Sequence, residues 1–165
     1  MTYMIEFTVC ALCGWLYEVG LELIVNHAYH DRGVLHLPLI PIYGFGGLLL
    51  LLVYRKKEYS SVFIFISSMI MTTLLELIAS YPIEKVLGYL PWSYRTWFLN
   101  FDGRISLPSS IIFGLLSLLL MKVIHPLCRK LENAQTAAVI IAGIMCMALF
   151  VTDGVILLIN IMGRI

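Results

Sequence analysis

The sequence predicts an all-α, polytopic helical membrane protein with about five transmembrane helices. Of its 165 residues, 61% are hydrophobic and only 13% are charged, and the mean hydropathy is +0.94. A soluble domain of this size has too little polar surface to cover so much apolar material. The net charge of +1 gives no electrostatic basis for binding nucleic acid. These observations exclude a soluble globular enzyme, a disordered chain and a nucleic-acid-binding protein.

Five apolar segments justify this number of helices. They run over residues 1–25, 37–54, 59–83, 105–121 and 136–162. Each is close to the length of about 20 residues that a helix needs to cross the hydrocarbon core. Every backbone polar group inside a bilayer must bond internally, so the segments are expected to be helices. Aromatic residues between 91 and 101 favour the membrane–water interface, so we expect an interfacial or re-entrant segment before the fourth helix.

Basic residues near the segment ends predict the orientation. One side of the membrane would hold two clusters in short loops, and the other side only scattered cations. The clustered residues are Arg55, Lys56, Lys57, Lys122, Arg129 and Lys130. Because lysine and arginine concentrate in cytoplasmic loops, we expect the N-terminus inside and the C-terminus outside.

An internal repeat is predicted within one transmembrane domain that covers residues 1–165. Residues 31–54 overlay residues 101–124 at an offset of 70, with 9 of 24 positions identical. A gap in the loops would also align Glu18 with Glu76. Helices 1 and 2 (residues 1–57) and helices 3 and 4 (58–126) would then form a tandem hairpin repeat, followed by an extra C-terminal helix over 134–162. Chance similarity between apolar helices is the alternative.

Ionisable side chains in or beside the apolar segments are the first functional candidates. They are Glu18, Glu22, Arg32, Glu76, Arg104 and Asp153. An ionised group facing lipid costs about 2.5–3.5 kcal/mol on translocon scales, so these groups should face inward, pair, protonate or line water. All six map to the outer third of the bundle, which predicts a polar cavity; structural ion pairs between helices are the alternative. Glu6 lies near the inner interface, where we expect it to be solvated.

Glycine and proline positions are candidates for backbone and packing roles. They are Gly33, Pro38, Pro41, Gly44, Gly103, Pro108 and Gly114. Glycines let helices pack closely, and the two prolines before helix 2 predict an extended or kinked start. The polar residues His27, His30, Asp31 and His36 lie together in the first connection. No further ligand with a firm spacing completes a metal site there, so we expect neither a metal nor a cofactor.

Ordered short motifs give the chain a family resemblance. In the first half they are Gly-Trp-Leu-Tyr-Glu (14–18), Asp-Arg-Gly-Val-Leu (31–35) and Pro-Leu-Ile-Pro-Ile-Tyr-Gly (38–44). In the second half they are Glu76 and Glu84, Pro-Trp-Ser-Tyr (91–94), Asn-Phe-Asp-Gly-Arg-Ile (100–105) and Phe-Gly (113–114). On these motifs the chain, up to about residue 126, resembles the bacterial ABC-transporter type IV permease family. The resemblance implies a bacterial plasma membrane location and adds site candidates: Tyr43, Glu84, Trp92, Tyr94, Asn100 and Asp102.

Three functions are compatible with these features. The leading hypothesis is a small permease or permease subunit whose acid and arginine cavity, in the outer half of the bilayer, handles a small solute or lipid headgroup. Its expected partners are membrane lipids, a second copy of the chain, and an ATPase subunit. The second is an intramembrane enzyme that acts on a lipid or lipid-linked substrate with paired carboxylates as general acid and base. The third is a non-catalytic assembly or immunity protein. No catalytic residue is assigned.

Overall fold

The computed structural model describes residues 2–27, 29, 33–54, 57–133 and 137–163, and its ordered elements there are helices. The helices are α1 (Thr2–Asn26), α2 (Pro41–Tyr54), α3 (Ser61–Leu87), α4 (Leu107–Leu119), α5 (His125–Asn133) and α6 (Ala137–Met162). A π turn, Leu120–Ile124, joins α4 to α5, so that residues 107–133 form one continuous helix. Among the described residues, four helices are long and apolar enough to cross a membrane: Tyr3–Ile24, Ser61–Leu87, Leu107–Lys130 and Ile140–Met162. The predicted fold class is confirmed.

Helix α2 is shorter than the apolar segment that contains it. The predicted segment starts at residue 37, whereas the helix starts at Pro41 and has 14 residues. Its length is therefore about 21 Å at 1.5 Å per residue. Pro41 has no backbone N–H to donate to residue 37, and its ring disfavours a helical conformation at the residue before it. Both effects favour a helix that begins at Pro41, and residues 37–40 are not helical.

The chain divides into two compact units. Unit 1 comprises Met1–Leu48 and Leu127–Ile165, which contain α1, the start of α2, most of α5, and α6. Unit 2 comprises Leu49–Pro126, which contain the end of α2, α3, α4 and the π turn.

In unit 1 a non-helical strap, residues 33–40, returns along α1 as far as the middle of that helix. The backbone N–H of Ile40 donates to the carbonyl of Ala11 at 3.1 Å. Leu35 and Leu39 of the strap form a buried cluster with Ala11, and Phe150 of α6 packs against it. Irregular backbone at membrane depth is tolerated only where protein buries it. The packing around the strap meets that requirement.

In unit 2 the helices α3 and α4 pack directly against each other. Both have well-formed caps: Ser60 accepts the N–H of Phe63 at the start of α3, and Ser106 forms a capping box with Ser109 at the start of α4. Pro108 lies in the first turn of α4, where its missing N–H costs nothing. The connection between the helices, residues 88–106, carries most of the predicted site residues of this unit.

Candidate functional site

In unit 1 the carboxylate of Glu18 on α1 is held by a tyrosine from α2. The hydroxyl of Tyr43 donates to Glu18 Oε1 at 2.6 Å. Both side chains are half-buried. The ring of Tyr43 lies over Gly14, at a position where any Cβ on that residue would collide with it. Gly14 therefore makes room for the aromatic ring, and the ring aims its hydroxyl at the acid one turn further along α1.

The second polar group of unit 1 is centred on Asp153 of α6. This carboxylate is only 6% exposed. Its Oδ2 accepts the backbone N–H of Leu37 at 2.8 Å, and its Oδ1 lies 2.7 Å from Nδ1 of His36. The strap has no helical partner for the N–H of Leu37, so Asp153 supplies the acceptor. The geometry gives Asp153 a bonding role at the broken start of α2.

In unit 2 the carboxylate of Glu76 on α3 is likewise held by a tyrosine. Glu76 is 5% exposed, and its Oε1 accepts the hydroxyl of Tyr94 at 2.9 Å. Tyr94 is fixed in turn by its backbone, whose N–H donates to the carbonyl of Gly103 at 2.7 Å. Its ring packs against Trp97 with 5.2 Å between centroids. A hydroxyl held by backbone and ring contacts is presented to the acid with little freedom.

Arg104 joins α3 to the connection that follows it. Its Nε donates to Asp102 at 3.2 Å, one terminal nitrogen to Ser80 Oγ at 3.2 Å, and the other to Glu84 at 2.5 Å. The guanidinium also lies 4.3 Å from the centre of the Tyr81 ring. The hydrogen bond to Glu84 is the main cause that raises the pKa of Arg104 above its ordinary value, with Asp102 adding to the effect. Three of the five N–H groups of the guanidinium therefore donate to these partners, and Arg104 pairs two acids here.

The remaining candidates of unit 2 shape the 88–106 connection. Trp92 Nε1 donates to the carbonyl of Arg104 at 2.9 Å. The amide of Asn100 donates to the carbonyl of Trp97 at 3.0 Å, and its oxygen accepts the N–H of Gly103 at 3.2 Å. Gly103 has φ +68°, a conformation that favours glycine. Trp92 and Asn100 therefore position the backbone that carries the charged and phenolic groups.

The structure places the predicted polar residues in two separate sets. Unit 1 holds Glu18 with Tyr43, and Asp153 with the strap; Glu22 is half-buried one turn beyond Glu18. Unit 2 holds the other predicted polar residues: Glu76, Glu84, Trp92, Tyr94, Asn100, Asp102 and Arg104. Arg32 lies outside the described residues, as do His30 and Asp31. That all the predicted groups share one cavity stays a prediction.

Glu6 is a polar residue that sequence reasoning placed wrongly. It is 1% exposed, whereas we expected it to be solvated. The sequence does contain a signal for its burial: Glu6, Cys10, Gly14 and Glu18 follow one another at four-residue spacing and so share a face of α1. Cys10 and Gly14 are buried too. A polar residue that begins such a stripe should have been assigned to the interior.

No metal site is formed by the described part of the chain, where no three His, Cys, Asp or Glu side chains are grouped so that they could hold an ion. The four cysteines are free, and Cys10 and Cys128 are buried.

Long apolar helices with hydrogen-bonded acids inside them define an integral membrane protein. The family comparison adds a transport-related role: the chain belongs to the family described as "Putative ABC-transporter type IV", whose model matches residues 5–158. The match extends beyond residue 126, where the short motifs end, and takes in most of α6. No curated protein and no solved structure matches the chain.

Proposed function

We propose that the chain is a small permease, or the membrane subunit of one, in the bacterial plasma membrane. The observation that carries this proposal is the pair of tyrosine-held carboxylates, Glu18 and Glu76, inside two candidate spans. Acids at membrane depth are costly, and they commonly mark substrate, ion or proton pathways. In this proposal the two glutamates are the groups that meet the transported solute, a lipid headgroup or a proton.

The other charged groups support these acids in our proposal. Arg104 holds Asp102 beside α3 because it donates to that acid and also to Ser80 and Glu84 of the helix. Asp153 keeps the strap beside α1. The N-terminus would lie in the cytoplasm and the C-terminus outside, so that the acids occupy the outer half of the bilayer.

An intramembrane enzyme is a weaker candidate because the buried serines of α4 are engaged in local hydrogen bonds. Ser106 Oγ accepts the N–H of Ser109 at 3.2 Å. Ser110 donates to the carbonyl of Ser106 at 2.7 Å and accepts a hydrogen bond from Thr73 at 2.7 Å. These contacts cap α4 and join it to α3, and a hydroxyl so engaged is poorly placed to act as a nucleophile.

The family description makes an ATPase component the first partner to test. Membrane lipids are the second, because most of the helical surface is apolar and exposed. A homodimer is the third, since a single chain of five helical segments is small for an independent transporter.

Native mass spectrometry of the full chain, released from its own membrane in mild detergent, tests the proposal. We expect an ATPase subunit or a retained small molecule or lipid. If a small molecule or lipid is retained, E18Q and E76Q should each lose it, whereas the control E58Q, at an exposed position, should keep it. A chain that carries neither a subunit nor a ligand, or glutamine variants that retain the ligand as well as E58Q does, would contradict a permease site at these acids.

A further inference from the structure

The two helix pairs share part of their burial pattern. When 58 is added to residue numbers in α1, every exposed position that the structure describes falls on an exposed position of α3, and two of the buried positions fall on buried ones. The buried pairs include Glu6 with Ile64 and Cys10 with Ser68, and the exposed pairs include Leu12 with Ile70 and Leu16 with Leu74. An offset of 70 between α2 and the stretch formed by α4 and the π turn likewise pairs every exposed position of α2 with an exposed one, for instance Phe45 with Leu115. It pairs three buried positions with buried ones, for instance Leu50 with Leu120.

A specific helix–helix contact also recurs at these two offsets. In unit 1 the ring of Phe7 lies against Gly44, and a Cβ on that glycine would come 2.6 Å from Phe7 Cε2. In unit 2 the ring of Phe65 lies against Gly114, and a Cβ there would come 2.8 Å from Phe65 Cε2. Phe65 is Phe7 plus 58, and Gly114 is Gly44 plus 70. Each contact places the same ring atom on the equivalent glycine.

Glu18 and Glu76 are also related by 58, and each accepts a tyrosine hydroxyl. The donors, however, are not equivalent. The counterpart of Tyr43 at an offset of 70 is Phe113, which has no hydroxyl. The offset rises from 58 to 70, so the second connection is 12 residues longer than the first, and this longer connection supplies Tyr94 instead. The hydroxyl is present in both units although its source in the sequence differs, which points to a use for the pair itself.

We propose that each unit contains its own proton-binding carboxyl–tyrosine pair, Tyr43–Glu18 and Tyr94–Glu76, so that one chain binds two protons at equivalent sites. A phenol can donate to a carboxylate and, after its O–H rotates, accept from the protonated acid. The hydrogen bond therefore survives when a proton from the aqueous phase adds to a carboxylate oxygen. Protonation removes the charge that an apolar helix disfavours. The proposal deepens the proposed function, since it names the ligand of the same two acids.

Other titratable and charged groups surround each pair. Next to Glu76 along α3, Ser80 binds Arg104, and that arginine is paired with Glu84 and Asp102. Helix α4, which packs against α3, has no ionisable side chain between Leu107 and Leu119.

In unit 1, Glu22 follows Glu18 by one turn, and Tyr17 packs beside Tyr43 with 6.2 Å between ring centroids. Helix α6, which packs against α1, contributes Asp153, beside His36 of the strap. In both units the paired tyrosine donates a hydrogen bond directly to the acid.

Infrared difference spectra between high and low pH, recorded on the full chain in lipid vesicles with ¹³C-labelled glutamate, test the proposal. Among the protonated-carboxyl bands of the labelled glutamates, we expect two that E18Q and E76Q remove one at a time, while E58Q leaves both of these. Y43F should shift only the first band and Y94F only the second. The proposal is wrong if neither glutamine variant removes a band, or if both bands ignore the tyrosine changes in variants whose thermal unfolding matches wild type.

A rescue variant tests the equivalence of the two units. In the Y94F background, F113Y places a hydroxyl where Tyr43 has one in unit 1. We expect the double variant to return the Glu76 band to its wild-type position, and F113Y alone to leave it there. A folded double variant with no rescue would overturn the equivalence. If E76Q loses the ligand but no carboxyl band titrates, proton binding is refuted and the permease proposal stands. If carboxyl bands titrate in a chain that retains neither ligand nor subunit, the permease proposal is refuted and proton binding stands.

Discussion

Asp153 accepts the backbone N–H of Leu37 at 2.8 Å, across 116 residues of sequence. The acid thus supplies a hydrogen-bond acceptor to the backbone of the non-helical strap that precedes α2. Burial of an acid in an apolar helix is costly, and here the cost is offset by the backbone donor and by the nearby ring of His36. Asp153 differs in this respect from Glu18 and Glu76, whose partners are tyrosine hydroxyls.

Removal of the acceptor at position 153 should destabilise the protein. Asp153→Leu leaves the N–H of Leu37 without this acceptor, and we expect the free energy of unfolding to fall by about 1–3 kcal/mol. Asp153→Asn keeps one amide oxygen for that N–H and should lose less. Thermal and denaturant unfolding in mild detergent measures both. The control is Thr152→Ala, at an exposed residue whose hydroxyl bonds only within α6. A leucine variant as stable as this control would contradict the role of Asp153.

Two glycines on α1 should respond oppositely to alanine. A methyl at Gly14 would collide with the ring of Tyr43, whereas nothing lies within 4 Å of a Cβ at Gly20. We expect Gly14→Ala to cost about 1–3 kcal/mol through overpacking. Gly20→Ala should be neutral or stabilise by up to about 1 kcal/mol, because alanine favours helix. Unfolding curves of both variants, measured side by side, decide the matter; equal midpoints would show that the glycine–tyrosine contact has no energetic role.

The contacts around Arg104 should persist at alkaline pH, whereas the contacts around a lysine at position 104 should be lost. The pKa of Arg104 is raised by Glu84, so any stability from this charge is fully present below the ordinary pKa of arginine and is lost only when the pH rises above it. Arg104→Lys keeps one charge, loses the three-way fork, and should discharge nearer the lysine value of about 10.4. The ¹⁹F signal of fluorotryptophan at Trp92, whose ring donates to the carbonyl of residue 104, reports the change. Arg129→Lys, at an exposed position, is the control. The argument fails if wild type and Arg104→Lys shift at the same pH.

Gly103→Ala should disturb the 88–106 connection more than Gly88→Ala does. Both glycines have positive φ, +68° and +78°, so alanine is strained at either by about 1–2 kcal/mol. Only at Gly103 would a Cβ also come 2.6 Å from Cγ of Arg95. The excess loss of unfolding free energy at Gly103, over that at Gly88, measures this crowding. No excess would mean that the Arg95 side chain moves aside freely.

Much of the helix pattern could be predicted because long apolar runs in this chain have few solutions in a bilayer. The composition of the site was also predictable in part: Glu76, Tyr94 and Arg104 were candidates, and each makes a polar contact in unit 2. The pairings were not. The contact of Leu37 with Asp153 depends on how α6 packs, and no local pattern encodes it. The extended start of α2 was predicted from Pro38 and Pro41, but the helix boundary itself was placed four residues too early.

The tyrosine hydroxyl on each of the two acids could not be predicted from sequence comparison, for a different reason. Position-by-position alignment pairs Tyr43 with Phe113 and so suggests that the hydroxyl is lost. The structure supplies it from Tyr94, in a stretch where the alignment has a gap. Such a substitution between non-aligned positions becomes visible only when atoms are placed in space.

The π turn at Leu120–Ile124 has a consequence for the evolution of the long helix that contains it. A π turn holds one more residue than the corresponding turn of α-helix, so loss of a single codon could convert it to regular α-helix. Deletion of one residue there would rotate everything beyond it by about 100° relative to α4. Cys128, now 4% exposed, would leave the interior, while the exposed Arg129 would turn towards it. Relatives of this chain should therefore keep the spacing between Gly114 and Cys128 under strong purifying selection, even where the residues between them vary.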